Sequence, residues 1–179
     1  MQFLKNQTGL NAPIAELFND TFTESEGAQE GAVIQGLVHD LLTTTPSGDL
    51  CVYTAHQDDA LCGCAVFTRM RFADDARTVV LLSPMAVATA HQGQGVGQKL
   101  LTHALTDLKA EGVDVAVTYG DPDFYGRVGF TPVSPDIVPA PQPLNMPVGW
   151  IAQSLTDAPL TPLPKPAICA PALDHPDFW

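Results

Sequence analysis

Residues Leu81 to Leu101 read L-L-S-P-M-A-V-A-T-A-H-Q-G-Q-G-V-G-Q-K-L-L. An apolar, strand-like run leads into alternating glycines, and a helix-forming run follows at once. Strand, glycine loop and helix start together make an anion cradle. Glycines let main chain approach a phosphate closely, and the first N–H groups of a helix have no intrahelical partner. Gln92, Gly95 and Gly97 stand as Q-x-x-G-x-G. The plain alternative at this point is a strand-to-helix turn that happens to use glycine.

Other phosphate loops fit less well. A P-loop needs Lys after its last glycine, and Gly97 is followed by Gln98. A dinucleotide fingerprint, G-x-G-x-x-G, would place its third glycine at Gln98 or Leu100. It also calls for an acidic residue about 20 positions on. Asp114 lies near that distance, so the dinucleotide reading is weakened rather than removed.

The chain has 179 residues, enough for one domain with a sizeable core. Hydrophobic residues make up 45%, and the mean hydropathy of +0.08 predicts a folded globular protein. No apolar run approaches the ~20 residues that span a bilayer, and the N-terminus M-Q-F-L-K-N-Q-T has no signal-like apolar region. A cytoplasmic protein without a membrane partner is expected. The net charge of -12, with eight Lys plus Arg, argues against nucleic acid as a partner. With so few basic residues, a bound phosphate must be held by main-chain amides and the helix dipole. Cys51, Cys62, Cys64 and Cys169 read as reduced core thiols, and neither they nor the five scattered histidines have metal-ligand spacing.

Along the chain, residues 1–10 suggest a first strand. Asn11 is expected to cap a helix carrying Ile14, Leu17 and Phe18, broken at Glu24-Ser25-Glu26-Gly27. A second helix is expected from Glu30 to Leu42, with Val33, Ile34, Leu37, Val38 and Leu41 on its apolar face. After the turn Pro46-Ser47-Gly48-Asp49 come three β-rich runs, Leu50–Ala55, Ala60–Arg71 and Thr78–Val87, which read as an antiparallel meander. The helix after the glycines carries Gly97, Leu100, Leu101, Ala104, Leu105 and Leu108 on one stripe and stops at Gly112. Val113–Tyr119 is the next strand, and the βαβ crossover makes it parallel to the one before the loop. Twelve of the sixteen prolines lie beyond Phe130. Proline at that density forbids long helices, so residues 132–147 and 159–179 read as ordered loop, edge strand and tail of the same domain, flanking a strand-like Val148–Leu155.

A second motif follows the parallel strand: Gly120-Asp121-Pro122-Asp123-Phe124-Tyr125-Gly126-Arg127-Val128-Gly129-Phe130. Asp121 suits an N-cap, Pro122 the first helical position and Gly129 a left-handed stop. G-D-P-x-x-Y-x-R-x-G-F and L-x-P-x-A-V-x-x-x-x-Q-G-x-G-V-G, in this order and spacing, resemble the GNAT superfamily of N-acyltransferases in its bacterial YhbS-type branch. The element order matches across almost the whole chain.

The resemblance implies an α/β (α+β) fold with a mixed sheet, in which an antiparallel N-terminal meander is followed by a splayed parallel pair. It implies one domain over 1–179, with the Pro-rich loop 132–147 forming a wall of the acceptor pocket. It also implies that Met85, Ala86 and Val87 present main-chain groups to pantetheine and the acyl carbonyl. Ser83-Pro84 would mark where the two parallel strands part. Gln92, Gly93, Gln94, Gly95, Val96 and Gly97 would hold the pyrophosphate of acetyl-CoA. Tyr125 would protonate the leaving thiolate, and Arg127 would be a structural ion-pair partner. The chain departs from the family at the base, since Arg77–Val87 contains no carboxylate. Glu24 and Glu26, a water chain and a main-chain carbonyl all remain open. The expected activity is acetyl-CoA-dependent transfer to a primary amine by direct attack in a ternary complex, without a metal, in a monomer or homodimer. The rivals are a non-catalytic acyl-CoA-binding sensor or partner module, and a dinucleotide enzyme.

Overall fold

Gly27, at φ +101, separates two helices that would otherwise read as one. The computed structural model describes residues 1–179 and divides them into two compact units, residues 1–67 with 84–103 and residues 68–83 with 104–179.

In the first unit, β1 (Gln2–Lys5) pairs antiparallel with β2 (Leu50–Gln57). Between them run α1 (Asn11–Glu26) and α2 (Ala28–Thr44), packed along each other. Ile14 and Phe18 of α1 and Leu37, Val38 and Leu41 of α2 are buried, following the 3.6-residue period. Two expectations change here. Asn11 is the first helical residue rather than the cap, since the helix begins after Leu10 without a side-chain cap. Val33 is 44% exposed, because the buried stripe of α2 runs instead through Gly31, Ile34, Leu37, Val38 and Leu41. A Cβ at Gly31 would fall 2.7 Å from the Asn19 carbonyl oxygen, so glycine there permits the close approach of α2 to α1.

Asp58 and Asp59 both have positive φ, which turns β2 tightly into β3 (Ala60–Phe72). Two left-handed residues between strands match the strand twist, and Asp tolerates that conformation. β4 (Val79–Val87) and α3 (Val96–Ala110), like β3, contribute residues to both units.

In the second unit, β4 pairs in parallel with β5 (Val115–Tyr119) from Val79↔Val115 to Leu82↔Thr118, as the crossover requires. The register ends there, at Ser83-Pro84, while β4 continues to Val87. α3 stops in a Schellman arrangement: Gly112 takes φ +83 and the Val113 N–H donates to the Leu108 carbonyl at 3.0 Å. After α4 (Pro122–Tyr125), β6 (Thr131–Pro132) and β7 (Trp150–Ser154) pair antiparallel, and β7 also pairs antiparallel with β5. The strand order is β1-β2-β3-β4-β5-β7-β6, with β8 (Ala167–Ile168) on β3. This is the mixed sheet flanked by helices that the element order predicts.

The proline-rich segments are pinned at named points. The Trp150 indole N–H donates to the Val138 carbonyl at 2.7 Å. C-terminal Trp179 is 3% exposed, lies against Tyr119 and Trp150, and accepts the Asn145 N–H at its main-chain oxygen. Val138 is fully buried, Ile137 and Leu144 are half-buried, and Met146 is 65% exposed.

Candidate active site

The glycine loop and the strand end before it lie in the first unit. The Ala88 N–H donates to the Cys62 carbonyl at 3.0 Å, and a Cβ at Gly63 would meet the Ala86 carbonyl oxygen at 3.4 Å. Ala86 and Ala88 therefore turn main-chain groups toward β3. Successive residues of a strand face opposite edges, so Met85 and Val87 turn theirs away from β3. A short 3-10 turn, Thr89–His91, then leads into the glycine loop.

The loop is braced by its glutamines. Gln92 Nε2 donates to the Val87 carbonyl at 2.9 Å, and its main-chain N–H donates to Thr89. Gln94 Nε2 donates to the Ala90 carbonyl at 3.0 Å. Gly93 and Gly95 take φ +70 and +75, the left-handed region that glycine enters without a Cβ penalty. The first intrahelical bond runs from the Lys99 N–H to the Gly95 carbonyl at 3.1 Å. Gly95 therefore stands at the N-cap, and Val96, Gly97 and Gln98 are the donors that the helix itself cannot satisfy. Of the six loop residues read from the sequence, Gln92 shapes the loop, and the outward donors belong to the glycine-rich part and the first turn. Lys99 is exposed beside them.

The second motif lies in the second unit. Asp121 caps α4 through Oδ1, which accepts the Asp123 N–H at 2.9 Å, and Pro122 takes the first helical position. Gly129 at φ +102 closes the turn, and the Phe130 N–H donates to the Tyr125 carbonyl. The half-buried Tyr125 ring meets Phe124 and Phe130 edge-on, with centroids at 5.0 and 5.9 Å. A Cβ at Gly120 would stand 2.7 Å from Tyr125 Cε2, so only glycine leaves room for the ring. The buried Thr118 side chain is the phenol's polar neighbour. Thr118 Oγ1 in turn donates to the Leu82 carbonyl at 2.8 Å, at the last registered pair of β4 and β5. Desolvation, with a smaller contribution from the Asp121 charge, pushes the Tyr125 phenol up to about 12, against the lowering effect of Thr118. Tyr125 is therefore held in its protonated form at neutral pH.

Sequence reasoning missed Thr118 and Gly120. Gly120 carried a signal, since it opens the second motif. Thr118 carried none, because its partners lie 36 and seven residues away. Arg127 corrects an expectation: it is exposed and pairs with no carboxylate, because the 3-10 turn Gly126–Val128 points it into solvent. Asp114, the acidic residue that kept the dinucleotide reading open, is occupied. It accepts the Thr78 N–H at 2.7 Å through Oδ2 and ties the start of β5 to the residue before β4. Glu24 lines a groove of about 480 Å³ along α1, together with Glu16, Asp20 and the turn Ala88–Ala90.

Residues 48–132 match the acetyltransferase (GNAT) domain family. Over 130 residues the chain is 32% identical to YjhQ, an uncharacterized N-acetyltransferase of Escherichia coli K12, covering 70% of this chain and 72% of that one. The chain belongs to the GNAT acetyltransferase family. A second GNAT relative, the uncharacterized N-acetyltransferase YhbS of the same organism, is 32% identical over 96 residues, 52% of this chain and 56% of that protein. The crystal structure of Escherichia coli YhbS in complex with CoA superposes with a TM-score of 0.77 at 22% identity, covering 98% of this chain and 93% of that chain. A GNAT acetyltransferase from Brucella melitensis in complex with acetyl-CoA gives a TM-score of 0.71 at 20% identity, covering 97% of each. At these identities the two structures speak for the GNAT fold, and the sequence match to YjhQ carries the family.

Proposed function

We propose that this GNAT acetyltransferase, an acetyl-CoA-dependent enzyme of N-acetyl transfer, holds the donor pyrophosphate on the first-turn amides after Gly95 and uses Tyr125 as its acid. The observation that carries the reading is the loop. Two left-handed glycines, braced by Gln92 and Gln94, present the unsatisfied donors of α3 at the end of a strand. Such a cradle binds phosphate without lysines, which suits a chain with eight basic residues. Solved relatives in complex with CoA and acetyl-CoA share the fold. Main-chain groups of Met85 and Val87, directed away from β3, would receive the pantetheine and the acyl carbonyl.

In the reaction the amine nitrogen attacks the thioester carbonyl and a C–N bond forms. The C–S bond then breaks with its electron pair on sulfur. Tyr125 gives its proton to that sulfur and is reprotonated, through water, by the proton the amine sheds. Transfer from a phenol near 12 to an ordinary thiolate, whose conjugate thiol sits near 8.5, is uphill in water. The desolvation that raises the phenol also raises a thiol brought beside it, which narrows the gap. Positioning of the two reactants supplies the larger part of the acceleration.

Calorimetric titration of acetyl-CoA, followed by a thiol-release assay over a panel of primary amines, tests this reading. The expected results are micromolar binding, of order -8 kcal/mol, and thiol release that depends on the amine. Binding with no amine-dependent release would instead make the chain an acyl-CoA sensor.

A further inference from the structure

The turn before β7 displays apolar side chains where the fold gives no reason to do so. Met146 is 65% exposed and Val148 63%, while Trp150, two residues on, is fully buried. These side chains are not on a loose loop. The Met146 N–H donates to the Tyr119 hydroxyl, the Gly149 N–H to the Met146 carbonyl, and the Gly120 N–H to the Gly149 carbonyl at 2.9 Å. A Cβ at Gly149 would stand 3.0 Å from the Gly120 oxygen and 3.3 Å from the Tyr119 ring, so the turn is seated directly on the end of β5.

Between the turn and α4 lies a pocket of about 470 Å³. Tyr119, Pro122, Met146 and Val148 make its apolar wall, and Asp121 is the one carboxylate on it. The Asp121 Oδ1 atom is committed to the Asp123 N–H, which leaves the second oxygen for a cation. Gly120, which also lines the pocket, is the residue against which the Tyr125 ring rests. An apolar cavity of a few hundred Å³ with one placed polar group is the usual form of a small-molecule site.

We infer that this pocket receives the acceptor, an amphipathic primary amine whose apolar body lies against Tyr119, Met146 and Val148 and whose ammonium meets Asp121. The inference deepens the proposed function and rests on it. The class it selects is an aryl- or alkylamine, rather than a polyamine, for which an apolar wall offers nothing.

Phenethylamine and putrescine serve as probes. Both are assayed with acetyl-CoA, and phenethylamine binding is followed separately by ligand-observed NMR, which needs no turnover. Phenethylamine should exceed putrescine in kcat/KM by at least about tenfold, the ratio that 1.4 kcal/mol supports. Val148→Asp should raise KM and weaken NMR-detected binding of phenethylamine by about tenfold, with the acetyl-CoA Kd and Tm unchanged, since the residue is already exposed. Asp121→Asn keeps a capping oxygen but loses the charge, and should weaken phenethylamine by about threefold or more. A preference for putrescine, or phenethylamine binding unaltered in Val148→Asp, overturns the acceptor assignment while acetyl-CoA binding stands. Absence of acetyl-CoA binding in the wild-type chain overturns the underlying function instead, and the acceptor assignment with it.

Discussion

The glycine loop Gln92–Gly97 and the turn around Tyr125 are both short, and both follow a strand of the parallel pair, but they present different kinds of group. The loop offers main-chain N–H groups, whose direction follows from two left-handed glycines and the start of α3. The Tyr125 turn offers one side-chain hydroxyl. Its acidity is set by burial and by Thr118, which is itself tied to Leu82 on a different strand. Main-chain chemistry is written by local conformation, and side-chain acidity by whatever tertiary structure packs around it. The two regions should therefore fail differently when altered.

The largest effect is expected in the loop. Gly95→Glu forces a side chain into φ +75 and puts a carboxylate where a phosphate belongs. Acetyl-CoA affinity should fall at least about 100-fold, an estimate taken from the arithmetic of a lost phosphate site. Calorimetry on a variant shown to be folded by circular dichroism checks it. Undiminished affinity would remove the loop from the comparison.

Tyr125→Phe should act on rate alone. Losing a positioned acid costs about 10²-fold in kcat by the usual scale, with acetyl-CoA binding within about twofold of wild type. Pre-steady-state kinetics, where chemistry limits, would show whether kcat falls. If it does not, Tyr125 is a packing residue.

Thr118→Val asks whether the tyrosine is directed from β5. The variant removes the hydroxyl beside the phenol and the donor to Leu82 together, so kcat should fall by roughly tenfold, the scale of one net hydrogen bond. Thr118→Ser should restore most of it. The phenol loses the neighbour that opposes its upward shift, so the alkaline limb of the kcat profile should move upward in Thr118→Val. An unchanged profile together with unchanged kcat would show that Tyr125 keeps its direction without Thr118.

The smallest effect concerns stability in the second unit and should leave the loop untouched. Hydrogen bonding to Arg77 at 2.6 Å holds the Asp75 carboxyl below the usual carboxylate range. A depressed folded-state value means the stabilisation is present above the unfolded value near 3.9 and is lost as pH falls through the folded one. With both side chains partly exposed, Asp75→Asn should cost no more than about 1 kcal/mol at pH 7, and the difference should shrink by pH 3. Denaturant titrations at the two pH values measure it. A difference that grows in acid would contradict the sign.

Much of the fold was legible because it rests on local rules. The stripe of α3 from Gly97 to Leu108, the stops at Gly112 and Gly129, and the Asp121-Pro122 start of α4 depend on neighbours within one or two helical turns. Two apolar residues depart from local rules for the same reason. Val33 fits the apolar stripe by spacing but lies exposed, because Gly31 lets α2 approach α1 on the neighbouring face. Met146 is apolar within a pinned segment yet points outward, because Gly149 and Tyr119 fix the turn that carries it.

By itself, the sequence determined the element order, the parallel crossover and the glycine loop, since periodicity, caps and left-handed glycines are properties of consecutive residues. Tertiary structure alone decided that Asp114 is spent between two strands and that buried Thr118 stands beside the Tyr125 phenol. It also decided that an apolar pocket opens beside Asp121. Each of these depends on a distance between residues far apart in the chain or on the burial of a particular atom, and neither is encoded in any window of neighbours.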